Sequence, residues 1–337
     1  MESIIVRMPN WVGDVVMATP ILTDLRKAFP KASITAMCRY PICELLSMDT
    51  SIDELYCFHQ LNNQFSKRVE RRNIIAKIQA GKFDLGLLLT NSLSSAWLFW
   101  QGNVKRRIGY SFFPRNLLLT DPIQCPTRKM HQVDRYKELL HPLGIKHSTT
   151  PPRLFVTEKE VAISKELLYQ RGYHFGKKLV GINPGASYGS AKCWPVDRFR
   201  SLAMDLIKDD VFVVFFGDSS QMDLVKKICQ DLPQRVINLA GCTSLRELIC
   251  LIRDCDVVVT NDSGPMHIAT ALNTPLVALF GSTDVTVTGP YGQNKAVIHK
   301  KVRCSPCLKR ECPIDLRCMT QISVNEVAQR VRDILYV

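Results

Sequence analysis

The chain predicts an α/β protein made of two Rossmann-like halves, each built on a parallel sheet. Three observations carry this reading. Apolar segments of strand length alternate with helix-period segments along the chain, the pattern of a parallel sheet with crossover helices. At 337 residues there is enough chain for two domains of roughly 150 residues each. The run Ser148-Thr149-Thr150-Pro151-Pro152-Arg153 bars helix and favours an extended link, which divides the chain into 1–150 and 151–337.

In the first half, Ser3–Arg7 reads as a strand and a turn follows around Pro9 and Gly13. Asp14–Phe29 reads as a helix, because Val15, Ala18, Leu22, Leu25 and Phe29 fall on one stripe. Ile34–Cys38, Leu55–Phe58 and Leu85–Leu89 read as further strands, with a basic helix at Ser66–Ala80. In the second half, Leu179–Asn183, Val211–Phe216, Val236–Asn238, Asp256–Thr260 and Leu276–Phe280 read as strands. Helices fit at Val196–Lys208 and Leu245–Arg253, and Val324–Leu335 closes the chain as an amphipathic helix. Ligands of such folds bind beyond the carboxyl ends of the strands, so a cleft between the halves is the expected site.

Composition narrows the function classes. Hydrophobic residues make up 46% and charged residues 22%, which excludes a disordered, collagen-like or coiled-coil chain. No apolar run is long enough to span a bilayer. Met1–Arg7 lacks a basic segment followed by an apolar core, so the chain is expected to stay in the cytoplasm. Its thirteen cysteines are too sparse for a disulfide scaffold and are expected to be mostly buried thiols. The net charge is +13, and the first 150 residues carry +8 of it. The basic residues come in clusters, Lys67-Arg68, Arg71-Arg72 and Lys105-Arg106-Arg107. No nucleic-acid motif accompanies them, which leaves an anionic membrane surface or a phosphorylated substrate as the partner.

Four segments carry candidate chemistry. Arg7-Met8-Pro9-Asn10-Trp11-Val12-Gly13-Asp14 takes a strand through a turn into a helix, and helix starts favour anions. Asp14 reads either as an N-cap or first-turn acid or as a general base. Asn183-Pro184-Gly185-Ala186-Ser187-Tyr188-Gly189-Ser190-Ala191-Lys192-Cys193-Trp194-Pro195 offers amide and hydroxyl donors with one lysine, a phosphate cradle without the Walker pattern. Thr260-Asn261-Asp262-Ser263-Gly264-Pro265-Met266-His267 has the same strand–turn–helix layout. Two donor-rich helix starts in one half imply a diphosphate held between them. Fourth, Cys304-x2-Cys307-x4-Cys312-x5-Cys318 offers four ligands for a structural Zn²⁺, with disulfides as the alternative. Asn91-Ser92, after the Leu85–Leu89 strand, reads as a helix cap or as part of the same cleft.

Together these segments resemble the bacterial lipopolysaccharide heptosyltransferases of glycosyltransferase family nine, over nearly the whole chain. The most specific stretches are Pro9–Asp14, Asn91-Ser92, Pro184–Pro195 and Thr260–His267. The resemblance implies a GT-B fold, an N-terminal acceptor domain and a C-terminal ADP-sugar domain, with the last helix reaching back to the first domain. It implies inverting transfer of heptose from ADP-heptose to the lipopolysaccharide inner core, most closely as in members that add the second heptose. Asp14 matches the catalytic base and Lys192 lies near the leaving diphosphate. Ser187, Tyr188, Asp223, Asp262, Ser263, Gly264 and His267 match the donor side, and Asn10, Asn91, Ser92 and Arg107 the acceptor side. No cofactor is required by this scheme. The implied partners are ADP-heptose, a Kdo–lipid A acceptor and the inner leaflet of the cytoplasmic membrane, with no nucleic acid.

Overall fold

A computed structural model describes residues 1–59, 64–146, 148–292 and 295–336. The chain divides into two compact units, Met1–Phe155 and Val156–Val337, so the division falls at 155/156 rather than 150/151. The expected link belongs to the first unit. Thr150 is buried and its hydroxyl donates to Asp24, while the Arg153 amide donates to the Thr19 hydroxyl.

The first unit runs β1 (Ser3–Arg7), α1 (Val12–Ala28), β2 (Ser33–Arg39), β3 (Glu54–Phe58), α2 (Gln64–Ala80), β4 (Leu85–Leu88), α3 (Leu93–Gln101), β5 (Arg106–Tyr110), β6 (Asp121–Ile123) and α4 (Gln132–Glu138). Its six strands lie in the order β3-β2-β1-β4-β5-β6, all parallel. The apolar stripe read from the sequence is buried at Val15, Ala18, Leu22 and Leu25, and the inner face of α2 contributes Ile74 and Ile78. Residues 60–63, between β3 and α2, lie outside the described residues.

The second unit runs α5 (Glu158–Gln170), β7 (Leu179–Asn183), α6 (Val196–Leu206), β8 (Phe212–Phe215), α7 (Met222–Cys229), β9 (Val236–Asn238), α8 (Leu245–Asp254), β10 (Val257–Asn261), α9 (Gly264–Ala271), β11 (Leu276–Phe280), α10 (Val285–Thr288), β12 (Lys295–His299), α11 (Arg317–Thr320) and α12 (Val324–Leu335). The order β12-β11-β10-β7-β8-β9, again all parallel, repeats the topology of the first sheet. Capping boxes at Thr157/Glu160 and Ser244/Glu247 start α5 and α8 by satisfying free amides reciprocally.

The structure places the last helix and corrects two expectations. The stripe of α12 (Val327, Ala328, Val331, Leu335) is spent in the core of its own unit, where the helix packs on α6, β10 and β11. Of the basic cluster Lys105-Arg106-Arg107, the two arginines supply the start of β5, while Lys105 stays exposed before it. The two guanidiniums are held by Asp121 and by backbone carbonyls, which makes them strand partners. Among the cysteines, Cys43 and Cys57 form a disulfide, while eleven others are free.

Candidate active site

In each sheet the strand order reverses at one place, between β1 and β4 and between β7 and β10. Such switch points leave a crevice beyond the carboxyl ends of the two strands, because the crossover helices diverge to opposite faces. Register sets Arg7 beside Leu88 in the first sheet and Asn183 beside Thr260 in the second. The segments leaving these ends are 8–14 and 89–92 in one unit, and 184–195 and 262–267 in the other. Pairing of strands distant in sequence thus gathers the candidate segments of each unit at its own switch point.

In the second unit the two turns are stitched together by buried amides. Asn183 donates from Nδ2 to the Gly185 carbonyl (3.0 Å) and to Ser263 Oγ (3.3 Å). Asn261 donates from Nδ2 to the Pro184 carbonyl (2.7 Å) and accepts the Trp194 amide at Oδ1 (3.1 Å). Trp194 is a buried anchor, its indole N–H donating to the Ile322 carbonyl. Gly185 leaves room for the Gln221 side chain, which a Cβ would meet at 2.2 Å.

Lys192 is held inside this frame. Its Nζ lies 2.5 Å from Asp262 Oδ2 and 4.7 Å from the centre of the Tyr188 ring. The Thr283 hydroxyl also donates to Asp262 Oδ2, at 2.6 Å. Asp262, expected on the donor, is 4% exposed and spent on Lys192 and Thr283. The buried carboxylate fixes the position of the Lys192 ammonium. Ser263 caps α9 and Gly264 opens it, leaving amides without intrahelical partners at that end. Ser187 is exposed on the turn, and the Tyr188 hydroxyl donates to the Leu308 carbonyl at 2.7 Å. His267 is buried one turn into α9 and offers little surface to a ligand. Asp223 is exposed in the first turn of α7, beyond the carboxyl end of β8.

In the first unit Trp11 is the cap residue of α1, which makes Asp14 a first-turn acid rather than the cap. The half-buried carboxylate accepts the Tyr136 hydroxyl at Oδ1, at 3.4 Å. Burial, and then the Asp14 charge, push the Tyr136 phenol well above its usual range, so it remains a donor. Arg7, buried at the end of β1, donates to the Met8 carbonyl and to Asn10 Oδ1 (2.7 Å), fixing the turn before Asp14. Burial lowers its pKa to about 10, which leaves it charged at neutral pH. Ser92 caps α3 by accepting the Ser95 amide, and Asn91 beside it is exposed.

Arg107 does not join this group. It is the second residue of β5, beside Gly86, and so lies toward the amino end of its strand. Its guanidinium donates to the Leu118 and Val104 carbonyls. Residues that the sequence reading missed include Tyr136, Gln221 and Thr283. Each meets its partner only through tertiary packing and carries no local motif. Asn183 and Asn261 had a signal: an amide side chain ending an apolar strand at each switch point.

Residues 71–317 match the sequence profile of glycosyltransferase family 9 (heptosyltransferase). Lipopolysaccharide heptosyltransferase 2 of Escherichia coli is 31% identical over 308 residues, 88% of this chain and 87% of that protein. Lipooligosaccharide heptosyltransferase 2 of Campylobacter jejuni is 27% identical over 340 residues, 99% and 98% of the two chains. The structure of E. coli ADP-heptose LPS heptosyltransferase II has a TM-score of 0.85 at 28% identity, over 99% of this chain and 98% of that one. Two parallel six-stranded sheets in this order, together with these matches, give the GT-B fold, and the chain belongs to glycosyltransferase family 9, the heptosyltransferases.

Proposed function

We propose that this protein transfers L-glycero-D-manno-heptose from ADP-heptose to the inner core of lipopolysaccharide, with inversion, and adds the second heptose. The observation that carries the reading is the stitched pair of turns at the β7/β10 switch point, with the Lys192 ammonium held between Asp262 and Tyr188. A sugar nucleotide reacts by losing its diphosphate. Negative charge grows on the departing oxygen while the anomeric carbon becomes cationic. Fixed donors aimed at that oxygen lower the barrier more than water does, because they need not reorganise. Lys192, the Ser187 hydroxyl and the amides at the start of α9 are those donors. The lysine supplies the counter-charge that a divalent cation supplies elsewhere.

The acceptor hydroxyl attacks the anomeric carbon on the face opposite ADP. Its proton passes to Asp14 as the new C–O bond forms, and ADP leaves with the electron pair of the broken bond. The Tyr136 hydroxyl holds the carboxylate in place. The acceptor is an anionic lipid, and Lys67, Arg68, Arg71 and Arg72 stand exposed on α2, where they draw the enzyme to the cytoplasmic face of the membrane. No helix among the described residues is long and apolar enough to cross it.

The testing experiment is a transfer assay with ADP-heptose and acceptors bearing zero or one heptose, with UDP- and GDP-sugars as competing donors. Transfer to the mono-heptosylated acceptor, unchanged by millimolar Mg²⁺, is expected. Preference for another nucleotide sugar, or for the heptose-free acceptor, would overturn the assignment.

A further inference from the structure

The segment between β12 and α12 carries Cys304, Cys307, Cys312 and Cys318, and the transfer chemistry uses none of them. All four are free thiols and line one cavity of about 20 Å³, a volume suited to a single ion. Among the described residues no group of three such side chains already stands as a complete metal site, so closing one requires the thiols to turn inward. Three features point to a cross-link here. First, none of the residues 303–317 is buried, and Leu308 and Ile314 are largely exposed. Leu316, near the end of the segment, is its one residue packed against the core, so most of the segment lacks an apolar anchor, the situation in which small folds rely on metal or disulfide staples. Second, Leu308, directly after Cys307, has φ 57°, and Leu316, four residues after Cys312, has φ 54°. Left-handed backbone at a bulky non-glycine residue is costly, and here it falls beside the second cysteine and at Leu316, which lines the cavity. Third, the Leu316 amide donates to Cys312 Sγ at 3.3 Å, which holds that sulfur at the cavity.

The same segment backs the donor turn. The Leu308 carbonyl accepts the Tyr188 hydroxyl, and the Arg310 carbonyl accepts the Ala191 amide at 2.9 Å. The Arg310 guanidinium lies 5.5 Å from the Tyr188 ring centre. The Leu308 amide donates to the Ser282 carbonyl, beside the Thr283 that holds Asp262.

We propose that Cys304, Cys307, Cys312 and Cys318 bind one tetrahedral thiolate-coordinated metal ion, zinc or iron, and that this ion fixes the strap against which the Tyr188–Lys192 turn is built. Four sulfur donors select these metals over Mg²⁺ or Ca²⁺. The metal site stands on the strap alone. Its effect on nucleotide binding rests on the donor reading given under Proposed function.

The test is elemental analysis of tag-free protein purified under reducing conditions without chelator, together with ADP affinity before and after metal removal by a mercurial thiol reagent, with excess thiol added afterwards. About one zinc or iron per chain is expected, falling to about a tenth or less in Cys307→Ser and Cys312→Ser. Stripping the wild-type protein is expected to weaken ADP roughly tenfold, and re-addition of the metal to restore it, which separates the effect from misfolding of a variant. Metal-free wild-type protein that is folded, or two disulfides within 304–318 by mass under non-reducing conditions, would overturn the site. Unchanged ADP affinity after stripping would overturn the strap's role. Stoichiometric metal in a protein that transfers no heptose would support the site and sink the transferase reading instead.

Discussion

Lys192 Nζ stands 2.5 Å from Asp262 Oδ2, with the lysine side chain 12% exposed and the aspartate 4%. The two charges neutralise one another before any donor arrives. In the proposed reaction an incoming diphosphate would therefore meet an ammonium that is already aimed, with N–H groups left for phosphate oxygens. The pair couples stability to function, and the two can be separated. Lys192→Ala is expected to leave a buried carboxylate unpaired, at a cost of about 3–5 kcal/mol in stability, and to weaken ADP binding and turnover together. Lys192→Ala combined with Asp262→Asn is expected to recover much of the stability and none of the activity. Thermal melts beside single-turnover rates check this. A double variant as active as wild type would remove Lys192 from the site.

Asp14 is expected to be needed for chemistry and not for donor binding. Asp14→Asn should lower kcat by roughly 10²–10⁴ while ADP affinity changes little. Tyr136→Phe keeps the ring and removes the hydroxyl that holds the carboxylate, so it should lower kcat by a smaller factor. Steady-state rates and ADP titrations on both variants decide it. Near-normal turnover in Asp14→Asn would end its assignment as base.

Gly189 is a backbone requirement of the turn that follows β7. Its φ is 153°, and a Cβ there would sit 2.3 Å from the Arg310 carbonyl oxygen, which is backbone and cannot swing aside. Gly189→Ala is expected to cost roughly 1–3 kcal/mol and to weaken ADP binding by pushing the strap from the turn. Denaturant midpoints and ADP titration measure both effects. A stable variant with intact affinity would show that the strap does not set the geometry of this turn.

Acid sensitivity should include a contribution from Glu160, which joins α5 to α8 through Arg246 at 2.7 Å. The Arg246 hydrogen bond, then those from Thr157, lower its pKa from 4.5 to about 2, against the opposing effect of burial. The unfolded chain takes up this proton near 4.5 and the folded one only near 2. The stabilisation is therefore complete above about pH 4.5 and drains as pH falls toward about 2. Glu160→Gln should be less stable than wild type at neutral pH and should lose less between those values. Urea midpoints across that range test it, and parallel pH curves would refute the assignment.

Membrane attraction is expected to reside in α2. Lys67, Arg68, Arg71 and Arg72 are exposed there, whereas Lys105 pairs with Asp84 and Arg106 with Asp121. Each exposed α2 charge near an anionic leaflet contributes about 1 kcal/mol. Replacing Lys67, Arg68 and Arg72 by Glu should abolish salt-sensitive binding to anionic vesicles, while a Lys105→Glu change should leave it nearly intact. Co-sedimentation at two salt concentrations distinguishes them, and equal losses would return the charge to both clusters.

Much of this protein was determined locally, by residues acting on their own neighbours in the chain. The strands Ser3–Arg7, Leu179–Asn183 and Leu276–Phe280 are legible because apolar runs of strand length declare themselves without help from the rest of the fold. The Asn-Pro-Gly and Asp-Ser-Gly-Pro turns are legible for the same reason, since Gly, Pro and Asn constrain the backbone where they stand. Which of these turns meet was decided by strand pairing. Asn183 reaches Ser263, and Lys192 reaches Asp262, across 80 and 70 residues only because β7 lies beside β10. Tertiary structure also reassigned Arg107, whose charge looked available in a linear reading. Its half-buried guanidinium donates to the Leu118 carbonyl, eleven residues on, which the fold brings within reach, and to the Val104 carbonyl three residues back.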